Sequence, residues 1–189
     1  MPEFNVSRPQ QDLTKIDNSM LINAIAEMRK EYSDASRDNV VNAVVFDATF
    51  FIPAIFDKST ELVQNDKQRL EFTERPKAQF VLIENPKGEK YIPAFTSTEL
   101  LTAFRNQQPE AAQNAQSFVM TFADLAGVTE SFGFIEGFVI NPFDENLPFT
   151  KDFILAIKQN LQEQMAKMQQ AQQDSEDAAP DITMSTNKS

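Results

Sequence analysis

The residues of this chain best suited to chemistry fall in the segment Phe95-Thr96-Ser97-Thr98-Glu99. A strand running into a helix N-terminus presents free backbone amides beside hydroxyls, and such a corner holds a carboxylate or a phosphate. Phe95, Thr96 and Ser97 are therefore candidates for a small anion or metabolite site, with Asn141 and Pro142 as its expected neighbours. The same residues also read as a capping box, in which Thr96 answers the amide of Glu99 and Glu99 reaches back. On that reading the corner stabilises its own helix by about 1 kcal/mol. Glu99 would then already occupy the amides with negative charge. The triplet Asn141-Pro142-Phe143 has two readings as well: it presents an apolar residue to a partner, or it ends a strand in a turn.

Other chemistries lack their residue types. The chain has neither cysteine nor histidine. Thiol nucleophiles, disulfides, cysteine zinc sites and the commonest general base are absent with them. The carboxylates Asp57, Glu61, Asp66, Glu71 and Glu74 line a polar stretch, but they show neither the Asp/Asn alternation nor the closing glycine of a calcium loop. They read as solvated surface. The four glycines, at 88, 127, 133 and 137, match neither a P-loop nor a dinucleotide fingerprint. A serine or threonine nucleophile would need a positioned base, and the sequence places none. No catalytic residue, metal or cofactor is expected.

Charge narrows the partners. The formal net charge is −11, and no Lys/Arg cluster offers itself to a phosphate backbone or an anionic membrane surface. Nucleic acid and membrane are excluded as partners, while a basic protein remains compatible. No stretch reads as a signal peptide, and none is apolar over the roughly 20 residues that span a bilayer. A cytosolic location is the expectation.

The elements that must position these residues follow from periodicity. Residues 1–16 read as a loose arm. Asp17 or Asn18 caps a helix carrying Leu21, Ile22, Ile25, Met28 and Tyr32 at helical spacing. A second helix opens at Ser36 with Val40, Val41, Val44, Val45 and Ala48 on its apolar face, so the chain begins with a helical hairpin. Phe50 to Phe56 is a strand, residues 57–76 an exposed excursion, and Ala78 to Ile83 a strand. Asn85-Pro86-Lys87-Gly88 is a turn, from which Lys90 to Phe95 returns as the second arm of a hairpin. Pro53 and Pro93 both interrupt strands and belong at edges, strand starts or bulges. A helix to about Arg105 places Leu100, Leu101 and Phe104 inward, and residues 106–115 form a loop. Phe118 to Phe122 is a strand, Ala123 to Ala126 a helical turn, and Gly137 to Ile140 a last strand. Thr150 caps a final helix past Met168, with a stripe of Ile154, Ile157, Leu161, Met165 and Met168. Up to Leu161 this stripe is expected to pack on the domain's own sheet. Beyond it, Leu161, Met165 and Met168 overhang and offer a helix face to a partner or a second copy. From Gln169 the chain turns to Gln, Asp, Ser and Ala, and an acidic disordered tail is expected over 169–189.

Two segments carry a resemblance. Tyr91-Ile92-Pro93-Ala94-Phe95-Thr96-Ser97 after a hairpin turn, and Gly137-Phe138-Val139-Ile140-Asn141-Pro142 after an Asp124-Leu125 turn, resemble the SseB N-terminal-domain family over roughly residues 18–160. That family is named for enhanced serine sensitivity. The resemblance implies a bacterial cytosolic protein with a compact α/β domain, and it implies no catalytic mechanism or cofactor. Members often carry a second, C-terminal domain, in whose place a helix and tail are expected here.

The expected architecture is thus α+β. One domain over residues 17–168 holds a mostly antiparallel sheet of about five strands packed with helices, an N-terminal helical hairpin and a long C-terminal helix. The expected function is a non-catalytic protein-interaction or regulatory module, acting on an unknown protein partner or by self-association. The alternative is a small-molecule sensor, for an amino acid or metabolite, built on the Thr96/Ser97 corner.

Overall fold

The computed structural model describes residues 16–56, 62–64, 70–72, 78–108 and 115–177. The chain divides into two units, Met1–Lys151 and Asp152–Ser189. The expected N-terminal arm, apart from Ile16, and the distal tail lie outside the described residues, as do Asp57, Glu61, Asp66 and Glu74 of the polar stretch.

In the first unit, helix α1 (Ser19–Lys30) buries Leu21 and Ile25. Ile22 and Tyr32, expected on the same stripe, are instead exposed. Helix α2 (Asp34–Asn42) opens two residues earlier than its expected start. Ser33 caps it, exchanging hydrogen bonds with Ser36 in a capping box. The expected apolar face does not continue as α-helix: Ala43–Asp47 forms a wider π-helical turn, closed by Ala48 N–H donating to the Ala43 carbonyl at 2.8 Å. The extra residue in that turn rotates the chain, so Ala43, Val44 and Ala48 go inward while Phe46 turns outward.

Strand β1 (Thr49–Phe56) follows, then β2 (Leu62–Gln64) and β3 (Leu70–Phe72), which pair antiparallel as a separate ribbon within the expected excursion. After them come β4 (Ala78–Phe80), β5 (Ile83–Glu84), β6 (Lys90–Ala94), helix α3 (Thr98–Gln107), β7 (Gln116–Thr121), helix α4 (Phe122–Ser131), β8 (Ile135–Ile140) and β9 (Leu147–Thr150). Helix α4 is longer than the expected turn because Thr121 and Asp124 form a capping box at its start. Among the described residues, the expected sheet of about five strands is seven strands in two sheets. One has the order β4-β1-β7 and is antiparallel. The other has the order β5-β6-β8-β9, with β6 and β8 parallel and its outer pairs antiparallel.

Among the described residues, a single bridge joins the sheets. Phe51 and Phe95 exchange both backbone hydrogen bonds, at 2.8 and 3.0 Å. In an antiparallel ladder the next hydrogen-bonded pair lies two residues along each strand. That pair is Pro53 and Pro93, and neither has an N–H to give. The ladder therefore stops after one step. The Pro53 carbonyl accepts from Val81 N–H at 3.0 Å instead, and the chain from β4 crosses to join β6 at Ile83. Both prolines thus sit inside inner strands, at the split between the sheets, where the ladder is interrupted; of the edges, strand starts or bulges the sequence suggests, the outer edges are not where they lie.

Neighbouring residues of a strand face opposite sides, and here both sides are buried. On one, Phe138 stacks on Phe149 at 5.0 Å, with Phe50 and Phe122 against them. On the other, Phe51, Phe95, Leu101 and Phe104 cluster, with Ile16, Val81 and Leu100 packed beside them. This two-sided burial takes up seven of the chain's seventeen phenylalanines: Phe50, Phe51, Phe95, Phe104, Phe122, Phe138 and Phe149. Gly137 (φ 146°) permits the approach of β9, since a Cβ there would lie 2.0 Å from the Phe149 carbonyl oxygen.

The second unit consists, among the described residues, of helix α5 (Lys151–Asp177). It runs past Gln169, where the sequence suggests that disorder begins. Glutamine, alanine and glutamate are good helix formers, and the helix continues through them.

Candidate functional site

The two signature segments meet. Thr96 follows the end of β6, Asn141 follows the end of the parallel neighbour β8, and both are buried. The Asn141 side chain accepts Thr96 N–H at 3.0 Å and donates to the Thr96 hydroxyl at 2.8 Å. Its remaining amide proton goes to the Glu145 carboxylate. Asn141 adopts φ 45°, in the left-handed region that asparagine tolerates better than most residues. Its own N–H donates to the Ala94 carbonyl, and its carbonyl accepts from both Asp144 and Asn146 N–H at 2.9 Å. Arg29 of α1 closes the turn from outside, donating to the Glu145 carbonyl at 2.9 Å.

Asn18 holds the other side of the corner. It stands at the helix-capping position but caps nothing. Its amide accepts Thr49 N–H at 3.0 Å and donates to the carbonyls of Thr49 at 2.8 Å and Thr96 at 2.7 Å. Thr49 lies two residues before Phe51, where the β1–β6 ladder would next need a partner. Asn18 supplies the acceptor and the donor that a strand residue would have supplied.

The expected anion corner is filled by the chain's own groups. Ser97, not Thr96, caps α3, its hydroxyl accepting Leu100 N–H at 3.3 Å. Thr96 is unavailable for capping because Asn141 takes its amide and hydroxyl. Glu99 is exposed. Its carboxyl sits below the usual glutamate range, chiefly through its own backbone N–H and secondarily through the Ser97 hydroxyl. Thr96 and Asn141 are brought together as foreseen. Ser97 and Glu99 face the α3 N-terminus, and half-buried Pro142 leads into the turn.

Beside this corner lies an apolar cleft of about 260 Å³, lined by Phe95, Leu100, Phe104, Gln107, Phe143 and Asp144 among others. Phe95 and Phe104 form its buried floor. Phe143 stacks on Phe104 at 5.8 Å while remaining 61% exposed. The acidic Asp144 stands at the rim. The sequence offers Phe143 either as a presented apolar residue or as part of a strand-ending turn, and Phe104 only as core. Sequence reading missed Glu145 and Arg29, which act through contacts no local pattern encodes. Among the described residues, no three His, Cys, Asp or Glu side chains group as a metal site, and no helix is long and apolar enough to cross a membrane.

The fold and the corner define a class: a mixed α+β domain in which two sheets share one bridge and an asparagine-locked turn carries an exposed aromatic. The model of the SseB protein N-terminal domain matches residues 21–156, and the chain belongs to that family. No curated protein and no solved structure matches it.

Proposed function

We propose that the domain is a non-catalytic protein-interaction module whose recognition surface is the Phe143 cleft. Its ligand is a peptide segment bearing an apolar anchor residue beside a lysine or arginine. The observation that carries this reading is Phe143: a large aromatic left mostly in water by a turn that the hydrogen bonds of Asn141 and Arg29 hold in place. A rigid, exposed aromatic over an apolar floor is what interface hot spots require, since little order is lost on binding. The Asp144 rim and the chain's net charge of −11 favour a basic flank on the ligand. A metabolite-sensing role draws less support. The polar groups of the Thr96/Ser97 corner already have partners within the chain, and the cleft falls below the roughly 300 Å³ at which small-molecule pockets begin.

The test is fluorescence polarisation with short labelled peptides carrying Phe or Leu anchors, flanked either by Lys/Arg or by Asp/Glu. Binding is expected for the basic set, weakened about tenfold by Phe143→Ala with thermal stability retained. Absence of binding by every anchor, or affinity untouched by Phe143→Ala, overturns the proposal.

A further inference from the structure

Helix α5 carries a second surface, independent of the cleft. Its 27 residues extend about 40 Å. The apolar positions Ile154, Ile157, Leu161, Met165 and Met168 recur at spacings of three or four and lie along one stripe. Exposure rises along that stripe. Ile154 and Ile157 are buried and Leu161 is half-buried, while Met165 and Met168 are 62% and 66% exposed. In proteins most helical stability comes from packing of an apolar face rather than from propensity alone.

Charge is unevenly distributed along the same helix. Residues 151–167 hold Lys151, Lys158 and Lys167 against Asp152 and Glu163, whereas residues 168–177 hold only Asp174, Glu176 and Asp177. The first part is net positive and the second net negative. A helix polarised in this way complements an inverted copy of itself, and in a parallel pair its like charges would align.

We propose that α5 pairs antiparallel with α5 of a second copy of this chain, about a two-fold axis near Met165. In that register the two Met165 side chains meet, and Leu161 of one copy comes beside Met168 of the other. The contact is isologous, so it closes as a dimer and leaves no free surface to propagate.

The absence of cysteine from the chain makes the register directly testable in the full-length protein. Single Met165→Cys chains should form a disulfide-linked dimer under mild oxidation at low micromolar concentration. Leu161→Cys and Met168→Cys chains should cross-link with each other when mixed, and Leu161→Cys should not cross-link with itself. A disulfide needs Cα atoms about 4.4–6.8 Å apart, which only the proposed register provides. Asn106→Cys, exposed on α3, sets the background rate. Met165→Glu with Met168→Glu should weaken the dimer at least about tenfold in sedimentation equilibrium. Met165→Cys cross-linking no faster than Asn106→Cys overturns the pairing. Rapid Leu161→Cys self-linkage overturns its direction, and a chain that stays monomeric while another protein covers α5 overturns the choice of partner.

Discussion

Removing the Asn141 side chain tests the account of the corner most directly. In Asn141→Ala, buried Thr96 N–H loses the acceptor that stands 3.0 Å away. An unsatisfied buried amide costs about 1–3 kcal/mol. Alanine must also adopt the backbone at φ 45°, which adds about 1 kcal/mol. The expected loss is therefore about 3 kcal/mol. Asn141→Gly loses the same hydrogen bonds without the backbone strain, and should be about 1 kcal/mol more stable than the alanine variant. Asn141→Asp keeps the acceptor for Thr96 but loses both donors and sets a second carboxylate against Glu145. Its deficit should be larger at neutral pH and shrink as the solution is acidified. Urea unfolding followed by far-ultraviolet circular dichroism measures all three. An alanine variant within about 1 kcal/mol of wild type, or a glycine variant less stable than alanine, would refute the reasoning.

Two further outcomes rest on separate residues. Thr129 is fully buried and its hydroxyl has no hydrogen-bond partner, so the isosteric Thr129→Val should raise stability by about 1 kcal/mol in urea; a lower urea midpoint would show that the hydroxyl is used. The Tyr91 phenol is raised above its ordinary value, first by burial and then by the nearby Glu89 carboxylate. Its folded pKa exceeds its unfolded one, so its contribution is intact below about pH 10 and is lost as pH rises through the folded value. Tyr91→Phe should remove the high-pH part of the phenolate absorbance titration and flatten the alkaline loss of stability, and an unchanged slope would refute this.

The legible parts of the fold are those set by neighbours in sequence. The turn at Asn85-Pro86-Lys87-Gly88 forms as expected, with Gly88 at φ 81° and Asn85 N–H bonded to the Glu89 carbonyl. The Thr121 and Asp124 capping box was written in the sequence and underread. Strand β9 was not legible, because four residues containing Pro148 show no alternation to detect and pair only at an edge. The corner was half legible. Thr96 and Asn141 drew notice as polar residues ending strands, but their hydrogen bonds span 45 residues. Asn18, whose bond to Thr96 spans 78 residues, looks locally like an ordinary helix cap. A side-chain amide standing in for a strand leaves no periodic trace.

The same amide explains how so small a junction holds two sheets in register. On one side of the Phe51–Phe95 bridge, the facing prolines forbid any continuation. On the other, continuation would place the chain leaving β6 against Thr49, but that chain must instead turn into α3. Asn18 satisfies the Thr49 and Thr96 backbone groups that the departing strand abandons, and Asn141 satisfies the Thr96 amide from β8. Phe95, the bridge residue itself, lies between these constraints and forms the cleft floor with Phe104. The polar corner and the apolar cleft are therefore one construction. The hydrogen bonds that close the corner to anions fix the turn that lifts Phe143, and Asn141 itself lines the cleft, so Asn141→Ala should weaken the proposed peptide binding at Phe143.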